Sequence, residues 1–240
     1  MSKLYVVGIG PGGLEHMTYR AVDVLRSCDA VVGYNGYLKY VEDFIGGKEV
    51  YSTGMRAELD RCRMAVEFVR RGKDTAIIST GDAGLYGMAG PILEMSGDVE
   101  VEIVPGVSSC FSAAADLGSP IMHDFATISL SDLLTPWEAI EKRLRLAAQG
   151  DFVISIYNPR SKGRPDYLKR AVDIILEFRD EGTPVGLVKN SGREGTEKMV
   201  WTLGKMDYEA VDMMSVLIIG NSNTYIRDNL IITPRGYDIL

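Results

Sequence analysis

The sequence has 240 residues, 46% of them hydrophobic and 25% charged, with a formal net charge of −7 at pH 7. That composition is enough to build a full globular core, and its acidic balance argues against a general nucleic-acid binder. Three scattered cysteines (Cys28, Cys62, Cys110) and two histidines (His16, His123) have no zinc-site spacing, so no metal is expected, and the cysteines read as reduced thiols of a cytoplasmic protein. The apolar run Leu4–Ile9 comes early, with no charged segment or cleavage site before it, and no run reaches the ~20 residues that cross a bilayer. A soluble protein with no membrane or nucleic-acid partner is expected.

In chain order, short β-branched runs at Leu4–Ile9, Ala30–Val32, Thr75–Ser79 and Val99–Val104 predict strands. Helices are predicted between them over Met17–Ser27 and Glu58–Arg71, the second with Leu59, Cys62, Ala65, Val66 and Val69 on one face. The small apolar segment Ser108–Leu117 predicts a buried helix, and Gly118-Ser119-Pro120 breaks it. A domain boundary is placed there, giving domains 1–119 and 120–240. Beyond it the pattern predicts strands at Phe125–Ser129, Phe152–Tyr157, Val185–Val188, Met199–Thr202, Ser215–Ile219 and Leu230–Thr233. Helices are predicted over Pro136–Ala148 and Arg164–Glu181. Alternating strands and helices imply an α/β protein of two domains, each a mixed or mostly parallel sheet flanked by helices.

Three glycine-bearing loops follow predicted strands. Gly8-Ile9-Gly10-Pro11-Gly12-Gly13 matches the literal pattern G-x-G-x-x-G of dinucleotide-binding turns. Pro11 removes an N–H from that turn. The acidic residue expected after the second strand is also missing, since Asp29 precedes Ala30–Val32. The second loop, Ser79 to Gly90, contains Thr80, Gly81, Asp82 and Leu85. Asp82 has two readings: a carboxylate that takes a ribose or an ammonium at the end of a buried strand, or the N-cap of the next helix. The third junction, Val104-Pro105-Gly106-Val107-Ser108-Ser109, puts two serines where they could cap a helix or face a ligand. The three loops would converge on one cleft. With no Walker lysine and no intact pyrophosphate turn, a non-phosphate cofactor suits it better than a dinucleotide.

Val7-Gly8-Ile9-Gly10-Pro11-Gly12, Gly81-Asp82-x-x-x-Tyr86-Gly87 and Val104-Pro105-Gly106-Val107-Ser108 resemble the tetrapyrrole methylases. The segments His123–Ala126, Ser129–Trp137, Tyr157–Lys162 and Ile232–Tyr237 look like the branch of that family that methylates precorrin-3B or cobalt-factor III at carbon 17 in cobalamin synthesis. The resemblance covers essentially the whole chain. It implies a homodimer that holds S-adenosylmethionine in a cleft between two α/β domains and releases S-adenosylhomocysteine. Carried over by position, it puts Pro11 beneath the ligands and Thr80, Gly81, Asp82 and Leu85 at the methionine end. Ser108 and Ser109 fall near the ribose or carboxylate, and Tyr157 and Asn158 over the nucleoside. Asn190 and Asn221 fall in adenine-side segments. Many relatives have proline after the loop aspartate, whereas Ala83 stands there in this chain, so the loop is less rigid.

Methyl transfer from a sulfonium is an in-line displacement that needs positioning more than a nucleophile. The tetrapyrrole substrate is rich in carboxylates, and the basic run Arg160, Lys162 and Arg164 is a candidate grip for them, or else a solvated loop. Ring contraction moves protons. Asp132 is the first candidate for that role and His123 the second. Asp132 could instead cap the helix near Pro136, and His123, at a domain junction, could be structural. His16 reads as surface. Rival functions are methylation of another acceptor (a different precorrin carbon, a diphthamide precursor or a ribosomal RNA ribose), an NAD-dependent dehydrogenase, and a tetrapyrrole carrier.

Overall fold

The computed structural model describes residues 2–161 and 163–238. The chain divides into two compact units, Met1–Ser109 and Cys110–Leu240.

In the first unit, β1 (Leu4–Gly8), β2 (Ala30–Tyr34), β3 (Glu49–Thr53), β4 (Thr75–Ser79) and β5 (Val101–Val104) form one sheet in the order β3-β2-β4-β1-β5. Every pairing is parallel. Both faces are covered, so the central strands read as continuous apolar runs. Alternate residues go to opposite sides. Leu4, Val6, Val32 and Ile77 pack with α4 (Glu58–Arg70) and α5 (Ala89–Met95), while Val7, Ile9, Val31 and Ile78 pack with α1 (Tyr19–Ser27). Helix α1 starts two positions later than the pattern suggests because Thr18 caps it, accepting the Ala21 N–H at 3.1 Å. In α4 the buried face is Cys62, Ala65, Val66, Phe68 and Val69, whereas Leu59 is exposed. Strand β3 and the short helices α2 (Asn35–Leu38) and α3 (Glu42–Ile45) have no sequence signal. β3 is an edge strand with mostly exposed or half-buried side chains, and so lacks an apolar alternation.

In the second unit, β7 (Phe125–Ser129), β8 (Val153–Tyr157), β9 (Pro184–Lys189), β10 (Glu197–Thr202) and β11 (Ser215–Ile219) are ordered β10-β9-β11-β8-β7. β7 and β8 are parallel. β11 runs antiparallel between β8 and β9, and β10 is antiparallel to β9. Helices α7 (Trp137–Gln149) and α8 (Tyr167–Leu176) bury Ile140, Leu144, Leu168, Val172 and Ile175 on the face shown by Ile154, Ile156, Leu187 and Leu217. Helix α8 is shorter than expected. Pro165 disfavours helical backbone at Arg164, and after Leu176 the chain tightens into a Phe178 N–H to Ile175 carbonyl turn of 3.0 Å.

Helix α6 (Ser109–Leu117) groups with the second unit, so the division falls at the start of this helix and not at the Gly118–Pro120 break. Packing and pairing explain this. Ser191 Oγ lies 2.7 Å from both Ser112 Oγ and Asp116 Oδ2. β6 (Gly118–Ser119) pairs with β13 (Leu230–Ile232), which also pairs with β12 (Tyr225–Arg227). Leu117 and Ile231 lie over Gly186 of β9, where a Cβ would come within 2.6 Å of Leu117 and 2.8 Å of Ile231.

Two outcomes follow from this packing. Gly186→Val should destabilise the protein by about 1–3 kcal/mol, because an added β-branched side chain overpacks that contact. An unchanged urea midpoint would mean that α6 and β13 do not lie there. Burial pushes the Cys62 thiol up to about 11, so it should resist iodoacetamide at pH 8 until urea unfolds the chain, as read by mass spectrometry.

Candidate functional site

In the first unit the loops after β1 and β4 leave adjacent strands toward helices on opposite faces, α1 on one side and α5 on the other. That reversal is the position at which open α/β sheets bind ligands. All three glycine turns meet there. The Ile9 N–H donates to the Ser79 carbonyl at 2.9 Å, and Gly10 and Gly81 exchange backbone hydrogen bonds at 3.1 and 2.7 Å. A Cβ on Gly8 would stand 2.7 Å from the Gly106 nitrogen and 2.9 Å from the Gly81 carbonyl oxygen. The three turns are therefore in backbone-to-backbone contact, which no side chain could allow.

Asp82 pins this arrangement. Its Oδ1 accepts the Gly84 N–H at 2.8 Å and its Oδ2 the Gly106 N–H at 3.0 Å. It does not cap α5, which begins at Ala89 with no side-chain cap. Instead, the Ser79 hydroxyl accepts the Met88 N–H at 3.0 Å. Thr80 and Leu85 are half-buried beside Asp82, while Pro11 and Ser108 are buried. Gly81 has φ +69°, and a Cβ there would meet Ser109 N at 3.6 Å and Ser108 Cα at 3.8 Å, ordinary contact distances, so the left-handed backbone rather than a lack of space favours glycine. The G-x-G-x-x-G match lacks dinucleotide geometry. Gly13 leads into a single 3-10 turn over Leu14–His16, and α1 starts only at Tyr19, so no α-helix begins at the glycine turn itself. His16 lies in that turn, half-buried and 3.2 Å from Glu15, rather than in a helix on the surface.

In the second unit β7, β8 and β9 run in one direction, and their carboxyl ends carry Ser129, Tyr157 and Lys189. The Tyr157 hydroxyl accepts the Cys110 N–H at 2.9 Å. Asn158 and Asn190, each just past a strand end, both adopt left-handed backbone, with φ +51° and +50°. Asparagine tolerates that conformation best among residues with a side chain. Asn158 Nδ2 donates to Ser129 Oγ at 2.9 Å. Asn221 does not join them. It follows β11, which runs the other way, so it lies at the opposite edge, where Gly220 bonds the Pro184 carbonyl at 2.9 Å. Its Oδ1 is used by the Asn223 N–H and the Thr224 hydroxyl.

The two proton-transfer candidates are also separated. His123 is exposed ahead of β7 and Asp132 lies beyond the other end of that strand. Five residues of strand span roughly 17 Å. Asp132 does not cap α7, whose N-cap is Pro136 with no side-chain bond. Its Oδ2 accepts the Tyr167 hydroxyl at 2.6 Å, and its Oδ1 lies 3.8 Å from Arg164 Nε. The basic run is not a set of free cations. Arg160 donates to the Tyr208 carbonyl at 2.8 Å and bridges both Glu209 oxygens at 2.9 Å. Arg164 reaches the Leu130 carbonyl at 2.6 Å, and Lys162 lies outside the described residues. Sequence reasoning missed the pairing of Tyr167 with Asp132 and of Ser191 with Ser112 and Asp116, because each joins segments distant along the chain.

The family model described as tetrapyrrole (corrin/porphyrin) methylases matches residues 3–207. The chain belongs to the tetrapyrrole methylases. This methylase is 51% identical to a probable cobalt-factor III C(17)-methyltransferase of Salmonella typhimurium, over 98% of this chain and all of that protein. It is 38% identical to a precorrin-3B C(17)-methyltransferase of a Sinorhizobium species, over 98% and 96% of the two chains. Among solved structures, the methyltransferase CobJ superposes with a TM-score of 0.91 at 33% identity, covering 98% of this methylase and 100% of CobJ. A uroporphyrin-III C-methyltransferase from Thermus thermophilus, solved with S-adenosyl homocysteine, shares the fold at a TM-score of 0.69 and 23% identity, over 91% and 97% of the chains. Among the described residues of this methylase, no helix is long and apolar enough to cross a membrane.

If Asp82 is the pin of the glycine turns, Asp82→Ala should cost about 1.5–3 kcal/mol, since each bond it loses involves a charged acceptor. Urea unfolding measures this, and a wild-type midpoint would refute the pinning role.

Proposed function

We propose that this methylase transfers a methyl group from S-adenosylmethionine to carbon 17 of precorrin-3B or of its cobalt counterpart, cobalt-factor III, with ring contraction, in cobalamin synthesis. The observation that carries the reading is the full-length likeness, at 51% identity, to a C(17)-methyltransferase. Chemistry at the glycine turns supports it. A pyrophosphate needs an N–H that Pro11 lacks and an α-helix start, which comes only at Tyr19.

S-adenosylmethionine supplies an electrophilic methyl on sulfur when bound. The chain's contribution is positioning. Thr80, Gly81, Leu85, Ser108 and Ser109 are proposed to hold the methionine end, with Asp82 fixing the turns that present them. Tyr157, Asn158 and Asn190, at one edge of the second sheet, are proposed for the nucleoside. Asn221 is not included, because of its place at the opposite edge. Asp132 is the proposed proton carrier, with Oδ1 as the working oxygen because Oδ2 is occupied by Tyr167. The Glu209 side chain on Arg160 is 82% exposed, so a substrate carboxylate could exchange with it on the same guanidinium fork. We place the protein in the cytoplasm as a homodimer, following the family resemblance.

The decisive assay is methyl incorporation from labelled S-adenosylmethionine into metal-free and cobalt-loaded substrate. No incorporation into either would reject the function, and preference for one identifies the natural acceptor. Stabilisation by S-adenosylhomocysteine and not by NADH in a thermal-shift titration is expected. Arg160→Ala should raise the tetrapyrrole KM about ten-fold or more, as expected when a charge-assisted bond is lost. An unchanged KM would free Arg160 from substrate binding.

A further inference from the structure

We infer that Tyr167 is a positioning residue that fixes the Asp132 carboxylate for proton transfer, an inference that rests on the reading of Asp132 given above. Asp132 belongs to a loop with little anchorage of its own. The next two side chains, Leu133 and Leu134, are 67% and 94% exposed. The root of the loop is tied down, with the Leu130 carbonyl held by Arg164 at 2.6 Å and the Ser131 N–H on Ser129 Oγ at 3.2 Å. The carboxylate itself is oriented by the phenol, at 2.6 Å.

The phenol in turn is held by rings and a cation. Tyr167 packs on Trp137, with centroids 4.6 Å apart and planes tilted by 54°. The Arg170 guanidinium stands 4.1 Å from the Trp137 ring centroid and 5.3 Å from that of Tyr167. Tyr167 and Arg170 are three apart on α8, and so share a face of the helix. A side chain packed in this way donates a hydrogen bond of fixed direction, as a group supporting a working carboxylate must. The bond engages Oδ2 and leaves Oδ1 for the substrate. Donation to Asp132 also raises the phenol above its ordinary value, so it remains a donor throughout the neutral range. The charged neighbours of the pair among the described residues are Arg164, 3.8 Å from Asp132 Oδ1, and Arg170.

The test is a double-mutant cycle on the full chain, with Tyr167→Phe, Asp132→Asn and both together. It measures kcat, the KM of each substrate and S-adenosylhomocysteine affinity. Phenylalanine keeps the ring stack and removes only the donor. Tyr167→Phe should lower kcat roughly ten-fold or more, the scale of one hydrogen bond to a charged group, with cofactor affinity and urea midpoint unchanged. In the Asp132→Asn background it should lower kcat no further. Wild-type kcat in Tyr167→Phe beside an impaired Asp132→Asn overturns the positioning role and leaves Asp132 as the carrier. Additive losses, or loss of cofactor binding together with turnover, overturn it as well. Wild-type turnover in Asp132→Asn removes the role of Asp132 and this one with it.

Discussion

The first unit depends on one close contact: the backbones of Gly8, Gly81 and Gly106 touch at the carboxyl ends of neighbouring parallel strands. A parallel sheet ends in a row of loops, and loops normally separate as they leave it. Here they are drawn together by the exchange between Gly10 and Gly81 and by an aspartate that accepts an N–H from its own loop and another from the next. Glycine stands at each point where the turns touch, so their contact is peptide against peptide. The turns hold each other in place before any ligand arrives, so the arrangement is preorganised.

The second unit solves a related problem with different residues. Its sheet is mixed, with β7, β8 and β9 running one way and β10 and β11 the other, so position along the chain does not tell which edge a loop occupies. At the edge shared by β7, β8 and β9, asparagines take the left-handed backbone that glycine takes in the first unit. The choice keeps a side-chain amide at the strand end, and Asn158 uses it on Ser129. Aromatic and cationic side chains then build outward from this edge, with Trp137, Tyr167 and Arg170 stacked behind the loop of Asp132.

Much of this was legible in the sequence. β-branched runs gave β1, β4, β8 and β11 within a residue or so, because buried strands in a covered sheet are apolar throughout. The three glycine turns could be read as converging, since each follows a strand of the same sheet. What escaped notice shares a physical cause. β3 is an edge strand that needs apolar residues on neither side consistently. The Asp82 pairing with Gly106 and the Tyr167 pairing with Asp132 join segments far apart in sequence, so no local period encodes them. Asn221 resembled Asn190 as a polar residue after a strand, and only the antiparallel course of β11 puts the two at opposite ends of the sheet. Arg160 and Arg164 read as a basic run, yet tertiary partners occupy both.

The small sheet β12-β13-β6 has a consequence for synthesis. Every strand of the first unit has been translated by residue 104, so that unit can close while the remainder is still being made. The second unit cannot, because the partner of Gly118 and Ser119 is at Ile231 and Ile232. Until that hairpin emerges, Leu117 and Gly186 lack their cover of Ile231. Contacts spanning so much chain form late. On the ribosome the nascent second unit must therefore pass through an interval with one face of its sheet uncapped, the stage at which a chaperone would find most to hold.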